Sequence, residues 1–161
     1  MTPFDESLKH EIFRSLIIAG TRCTISSAGY IDRDGQKIAA TINGKPIYRA
    51  ILSAFAEPPT QWHTNVHHIN GNHKDNRLAN LMWANEAEHA IFHHIIRAFE
   101  DWKPGTWARY CEDDPTRARR LLENAEAFRI RAESREGQEP TLTWRSALPS
   151  TYQPAFERER P

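Results

Sequence analysis

The segment from His63 to His94 decides the fold, and it reads HTNVHHINGNHKDNRLANLMWANEAEHAIFHH. Seven of the eight histidines of the chain fall inside this segment, and only His10 lies outside it. Histidine is the commonest metal ligand in proteins and the usual general base near neutral pH. The clustering predicts a metal-dependent catalytic site that the rest of the chain holds in place.

The residue pattern of this segment predicts the order strand, loop, strand, helix. Residues 66–69 and 80–83 read as two short strands, and Asn70-Gly71-Asn72 reads as a turn because Asn and Gly tolerate positive φ. Asn85 is expected to cap a helix, with Glu88 three residues further on as in a capping box.

Four histidines have spacings that suit metal binding. His67 and His68 are neighbours on a predicted strand, where adjacent side chains point to opposite faces. His89 and His93 are four residues apart on the predicted helix and therefore share one face. If the helix packs back on the strands, His67, His89 and His93 converge, and three neutral ligands with open positions suit a catalytic metal.

The remaining histidines of the segment are expected to have other roles. The predicted helix reaches about Phe99 and is expected to bury Ala87, Ala90, Ile91, Ile95 and Ala98. His94 points about 100° away from His93, so we expect it to pack in the core. His63 is expected to be a surface or loop residue.

The same segment resembles the HNH endonuclease motif in several positions at once. The runs 66–72 and 76–81, followed by Trp83 and by Glu88-His89, are similar to the form found in phage and intron-encoded homing endonucleases. The three name-giving positions of the motif would be His68, Asn80 and His89.

The resemblance implies a ββα-metal fold and hydrolysis of a DNA phosphodiester with one divalent metal ion. It implies that His68 is the general base and that the Asn80 amide bridges the loop and holds His68 in place. His67 and His89 would be metal ligands, with His93 as a third.

The histidine-rich ligand set resembles that of the colicin-type nucleases. It makes Mn²⁺, Zn²⁺ or Ni²⁺ a plausible occupant in addition to Mg²⁺. The polar loop residues His73, Lys74 and Arg77 would contact DNA phosphates. The implied partner is double-stranded DNA, with a homodimer as one option and no membrane, and the implied setting is the cytoplasm of a bacterial host or phage-infected cell.

The flanking sequence predicts an α+β protein in three parts. Residues 1–60 would form an N-terminal helix (4–18, with Gly20 as its stop), a β-hairpin or meander (21–43) and a second helix (46–56), a region that also offers DNA contacts. Residues 61–103 would form the ββα-metal core. Residues 104–161 would form a C-terminal helix and an extended tail.

The C-terminal helix is predicted to begin at Asp114-Pro115, with Asp as N-cap and Pro at the first helical position, and to reach Glu133. Arginines, Arg119 among them, fall on its polar face, where they either face solvent or contact phosphates. The tail over 137–161 contains three aromatic residues and either packs on the body or stays extended.

Composition restricts the class of protein. The chain has 161 residues, of which 39% are apolar and 26% charged, which is ordinary for a soluble globular protein. No apolar run approaches the ~20 residues of a membrane span. The formal net charge is zero, which argues against nucleic-acid binding by bulk electrostatics alone. Cys23 and Cys111 supply no CxxC pair, and two free thiols or one disulfide are both open.

A different class of function also fits the pattern. An HNH-fold module could bind DNA or protein without catalysis and use its metal only for structure. The presence of His68 favours the enzyme.

Overall fold

The structure is a computed structural model that describes residues 2–125, which contain five α-helices, eight strands and a short 3-10 helix at Leu78–Asn80. In chain order they are α1 (Pro3–Ser7), β1 (Phe13–Ile18), β2 (Thr21–Ser26), β3 (Tyr30–Arg33), β4 (Gln36–Ile38), β5 (Thr41–Ile42), β6 (Lys45–Pro46), α2 (Tyr48–Phe55), β7 (Asn65–His68), β8 (Leu81–Ala84), α3 (Glu86–Trp102), α4 (Thr106–Asp113) and α5 (Pro115–Glu123). None of these helices has both the length and the hydropathy that crossing a membrane requires. The predicted helix end at Glu133 and the predicted tail lie outside the described residues.

Strands β1 to β4 form an antiparallel sheet in sequential order. This confirms the meander predicted over 21–43 for residues 21–38 and adds β1 to it, whereas Thr41–Ile42 pairs in a separate ribbon. In the β1–β2 pair, Ile17 lies opposite Arg22. Ala19 (φ 50°) and Gly20 (φ 81°) connect the two strands with the pair of positive φ angles that a tight hairpin turn requires.

The helix predicted over 4–18 is wrong beyond its first residues. A helix forms only over Pro3–Ser7, where Thr2 and Asp5 exchange capping-box hydrogen bonds. Residues 13–18 pair with β2 instead. Their apolar residues fit either pattern, and the neighbouring strand decides, because strand formation depends on pairing partners more than on local preference. Gly20 is therefore a hairpin residue and not a helix stop.

Helix α2 confirms the centre of the helix predicted over 46–56. It begins at Tyr48 because Pro46 pairs with Thr41 in the β5–β6 ribbon. The apolar face of α2 packs against the sheet in one core cluster, whose fully buried members include Ile25, Ile31, Ile51 and Leu52.

Strands β7 and β8 and helix α3 follow each other in the predicted order. The two strands are antiparallel, with His67 opposite Met82 and His68 opposite Leu81. The Asn85 side chain accepts a hydrogen bond from the Glu88 amide, and the Glu88 carboxylate accepts one from the Asn85 amide. The predicted capping box therefore starts α3.

Helix α3 is rotated relative to the prediction. Its buried residues are Phe92, Ile95 and Phe99, while Ala87 and Ala90 are exposed. Of the predicted face, Ile95 is buried as expected and Ile91 and Ala98 are half-buried, but the centre of the buried face lies about 100° from the predicted one. The physical reason is size, because a buried aromatic ring removes much more apolar area from water than an alanine methyl does.

Helices α4 and α5 complete a second core cluster around α3, which includes Phe99, Trp107, Tyr110 and Leu122. The Trp107 Nε1–H donates a hydrogen bond of 2.5 Å to the carbonyl of Ile69, directly after β7. The Asp114 side chain caps α5 and Pro115 is its first residue, as predicted.

Arg119 departs from the predicted charged face of the C-terminal helix. It is only 8% exposed, and its Nη2 donates hydrogen bonds to the carbonyls of Leu78, Ala79 and Leu81 at 3.3, 3.0 and 2.7 Å. Its guanidinium also lies 3.7 Å from the ring centroid of Phe4. Arg117 and Arg120 are exposed as predicted. Arg119 thus neither faces solvent nor reaches a phosphate, and it joins α5 to the segment that enters β8.

Both cysteines are buried free thiols. Burial raises the pKa of the Cys111 thiol to about 12, so it stays protonated at neutral pH. The free-thiol reading of the sequence is therefore confirmed.

Candidate functional site

Three histidines that the sequence predicts as ligands converge between β7 and α3. The imidazole nitrogens of His67, His89 and His93 that could bind a metal all lie within 4.8 Å of one another. His67 comes from the strand, whereas His89 and His93 come from successive turns of the helix. The Nε2 atoms of His89 and His93 are 3.2 Å apart.

The surroundings of His67 and His89 favour binding of a cation. Among residues 2–125, the buried Nε2 of His67 has no hydrogen-bond partner, and such orphaned polar atoms are rare in folded proteins. Burial, together with neighbouring histidines, lowers the pKa of His67 to about 3, so this ring is neutral at pH 7. Burial and the neighbouring His93 also lower the pKa of His89. Neutral imidazoles with converging nitrogens are the donors that a divalent transition metal prefers.

His68 follows His67 on β7 but does not belong to this cluster. Its ring lies 5.2 Å from that of Tyr48 and 5.1 Å from that of His73. His68 is 3% exposed, and burial lowers its pKa. The Nε2 of His68 is 2.9 Å from Oδ1 of Asn76. His68 is therefore a neutral imidazole, oriented by its hydrogen bond to Asn76, next to the three-histidine cluster.

Asn80 braces the loop between β7 and β8. Its Oδ1 accepts a hydrogen bond from the Asn70 amide, and its Nδ2 donates one to the Asp75 carbonyl, both at 2.9 Å. Its own carbonyl accepts a hydrogen bond from the amide of Ile69. The bridging of the loop is as expected, but the side chain that contacts His68 directly is Asn76.

Asn76 was not among the site residues predicted from the sequence. It is eight residues after His68 in an irregular loop, where no helical or strand period relates two positions. Only the folded loop brings the two side chains together. The polar run 70–77 and the motif-like run 76–81, which begins at Asn76, were the signals that pointed to this region.

The three predicted phosphate contacts, His73, Lys74 and Arg77, are all exposed on the same loop. Arg77 is held by Asp75 through two hydrogen bonds, Nε to Oδ1 at 2.8 Å and Nη2 to Oδ2 at 2.6 Å. This hydrogen bonding raises the pKa of Arg77 and orders an exposed cation.

The two remaining histidines of the segment lie outside the cluster. His63 is half-buried, with its Nδ1 2.7 Å from Oγ1 of Thr60 and its Nε2 3.1 Å from a carboxylate oxygen of Glu88. It ties the preceding loop to the first turn of α3. His94 is exposed, so the prediction of a packed core histidine is wrong, and the reason is the rotation of α3.

An antiparallel strand pair followed by a helix, with three imidazoles brought to one point, is compatible with a ββα-metal core. Residues 58–91 match the family model described as HNH endonuclease. Over these residues the chain is therefore similar to the HNH endonuclease family, and the predicted resemblance is confirmed there. The matched range contains His67, His68, Asn80 and His89 but ends before His93. No match was found among curated proteins or among solved structures.

Proposed function

We propose that the protein is a metal-dependent endonuclease that hydrolyses phosphodiester bonds of double-stranded DNA. The observation that carries this proposal is the convergence of His67, His89 and His93 beside His68, within a segment matched by the HNH endonuclease model. A structural site would be closed by a fourth protein ligand, whereas three ligands leave a position for substrate.

The three imidazoles would hold one divalent ion, chosen among Mg²⁺, Mn²⁺, Zn²⁺ and Ni²⁺. Nitrogen donors favour the transition metals over Mg²⁺. When bound, the ion supplies positive charge beside a nonbridging phosphate oxygen and the 3′ leaving oxygen. Because His67 is neutral at pH 7 and needs no deprotonation, this ligand is ready for metal at that pH.

His68 would act as the general base. It would accept a proton from water while the water oxygen forms its bond to phosphorus and the bond from phosphorus to the 3′ oxygen breaks. The released 3′ oxygen then takes up a proton from solvent. Burial lowers the pKa of His68 and keeps the ring unprotonated near pH 7, which is the form that can accept a proton. Asn80 would keep the loop closed around this side chain.

The exposed loop residues His73, Lys74 and Arg77 would bind the phosphates that flank the scissile bond. The hydrogen bonds from Arg77 to Asp75 hold its guanidinium in one orientation before DNA arrives. These side chains would supply local contacts to phosphates, since a formal net charge of zero gives no bulk attraction to DNA. The homodimer, the phage or mobile-element type and the cytoplasmic setting are further predictions from the resemblance.

Relaxation of a supercoiled plasmid tests the proposal. We expect the wild-type protein to nick the plasmid when Mg²⁺, Mn²⁺, Zn²⁺ or Ni²⁺ is added and to be inactive in EDTA. His68→Ala should abolish nicking, and His94→Ala, an exposed histidine of the same segment, is the matched control that should retain it. Wild-type protein that binds metal but cleaves nothing would support the catalytically silent binding module instead.

A further inference from the structure

The side-chain amide of Asn76 lies between the N-terminal sheet and His68. Asn76 is 6% exposed, and its Nδ2 donates a hydrogen bond of 3.1 Å to the carbonyl of Ala39, just after β4. A carbonyl oxygen can only accept, so the amide nitrogen must face Ala39. The amide oxygen therefore faces Nε2 of His68, at 2.9 Å. A flipped amide would place two oxygens against each other.

This orientation fixes where the proton of His68 sits. Because Oδ1 of Asn76 can only accept, the hydrogen bond requires that Nε2 of His68 carries the hydrogen. In a neutral imidazole the other nitrogen then has the lone pair. Nδ1 of His68 is thus the atom that is free to accept a proton.

The backbone of Asn76 is also positioned by the sheet. Gly29, in the β2–β3 turn, has φ +97°, and a Cβ at this position would lie 2.8 Å from both the Asn76 carbonyl carbon and the Arg77 amide nitrogen. The carbonyl of Ser27 in the same turn accepts a hydrogen bond of 2.9 Å from the amide of Leu78. These contacts come from residues outside the matched segment 58–91.

We propose that Asn76 is a positioning residue that selects the Nε2–H tautomer of His68, and that the N-terminal sheet, through the Ala39 carbonyl and the Gly29 turn, sets the orientation of Asn76. The reactive atom of the base is then Nδ1. This inference rests on the proposed role of His68 for its catalytic meaning, but the tautomer itself can be measured without any cleavage.

The first test is the imidazole ¹⁵N NMR spectrum of the full chain in EDTA at a pH where His68 is neutral. Its assignment comes from the loss of one imidazole signal in His68→Ala. We expect His68 of the wild type to show a protonated Nε2 and an unprotonated Nδ1. A protonated Nδ1, or a rapidly averaged ring, in the wild type would overturn the proposal, and this arm needs no substitution in Asn76.

The second arm compares Asn76→Ala with Asn76→Asp and with Asn72→Ala. Asn76→Ala should give His68 mixed tautomers. Asn76→Asp keeps an acceptor for Nε2–H and should keep that form, at a cost in stability because its second carboxylate oxygen faces the Ala39 carbonyl. Asn72 lies exposed on the same loop, and Asn72→Ala should leave the His68 signals unchanged. A pure Nε2–H form in Asn76→Ala would overturn the proposal.

The third arm is plasmid cleavage. Asn76→Ala should lower kcat with little change in KM, and Asn76→Asp should recover part of kcat, because a group that acts through the base affects the chemical step. An Asn76→Ala kcat equal to that of the wild type would overturn the catalytic part. If the wild type does not cleave DNA, the proposed function fails while the NMR result still decides the tautomer.

Discussion

The imidazole rings of His67 and His93 lie 5.4 Å apart, although His67 belongs to β7 and His93 to α3, one turn after His89. This contact places His93 in the candidate metal set, even though the family match ends at residue 91. The ring of His94, one residue further, points into solvent.

We therefore expect His93→Ala to weaken metal binding, because it removes one of three nitrogen donors. The loss should be about 100-fold, since even outer-shell partners of metal ligands contribute 10- to 100-fold. Titration calorimetry with Zn²⁺ and Ni²⁺ measures this. His94→Ala is the control on the same helix, and equal affinities of the two variants would remove His93 from the ligand set.

The buried imidazoles should make the metal-free protein less stable in mild acid. Unfolded His67 takes up a proton below about pH 6.5, whereas folded His67, with a pKa of about 3, does not. The unfolded state then binds more protons, so the free energy of unfolding falls as the pH falls through 6.5 and keeps falling toward 3. The lowered pKa values of His68 and His89 act in the same direction.

Urea unfolding in EDTA between about pH 7 and pH 5 measures this dependence. His67 alone should contribute at most ~1.4 kcal/mol per pH unit. His67→Phe should make the dependence shallower. A free energy of unfolding that stays constant over this range would contradict the burial of neutral histidines.

Because Gly29 lies close to residues 76 and 77, we predict that a methyl group added at this position lowers the stability of the protein. Gly29→Ala places its Cβ 2.8 Å from backbone atoms that cannot move without the loop, and the positive φ adds strain. We expect a loss of stability of ~2–4 kcal/mol together with reduced cleavage.

Gly35→Ala is the matched control, because Gly35 also has a positive φ (+80°) but its Cβ would meet nothing within 4 Å. It should lose only the ~1 kcal/mol expected for backbone strain. Thermal melts of the two variants give the comparison, and equal losses would show that the packing of the turn on the loop is not important.

The buried hydrogen bonds of Arg119 should contribute to the stability of the protein, away from the histidines. Arg119→Met keeps much of the volume but leaves the carbonyls of Leu78, Ala79 and Leu81 without this donor. The Leu78 carbonyl keeps the Leu81 amide as a donor, so two acceptors lose their partner. At about 1–3 kcal/mol each, we expect a loss of ~2–6 kcal/mol by urea unfolding. Arg120→Ala, an exposed arginine on the same helix, should change stability by less than about 0.5 kcal/mol. A mild effect of Arg119→Met would contradict the role of this side chain as a link between α5 and the site.

The sequence predicted the site better than the surrounding fold for physical reasons. The Asn85 and Glu88 cap, the turn at residue 71 and the four-residue spacing of His89 and His93 are local, so the residues themselves determine them. The strand over 13–18 is different, because it exists only through its pairing with β2. The local sequence pattern therefore predicted a helix there.

Two other features depend on tertiary packing and could not be predicted from the local sequence for the same reason. The rotation of α3 is set by the packing of Phe92 and Phe99 in the core. It places His94 on the surface instead of in the predicted core. The link between Asn76 and His68 requires a loop, an amide orientation and a carbonyl from a distant sheet. The division into residues 1–60, 61–103 and 104–161 stays a prediction.

The central claim is that one set of histidines binds the metal and another histidine performs the chemistry. The most direct test measures bound metal per chain and single-turnover cleavage of a labelled DNA duplex in the same samples of wild type, His68→Ala and His89→Ala. We expect His68→Ala to retain one ion per chain and lose cleavage, and His89→Ala to lose both. Cleavage by His68→Ala at the wild-type rate, or undiminished metal in His89→Ala, would contradict the account.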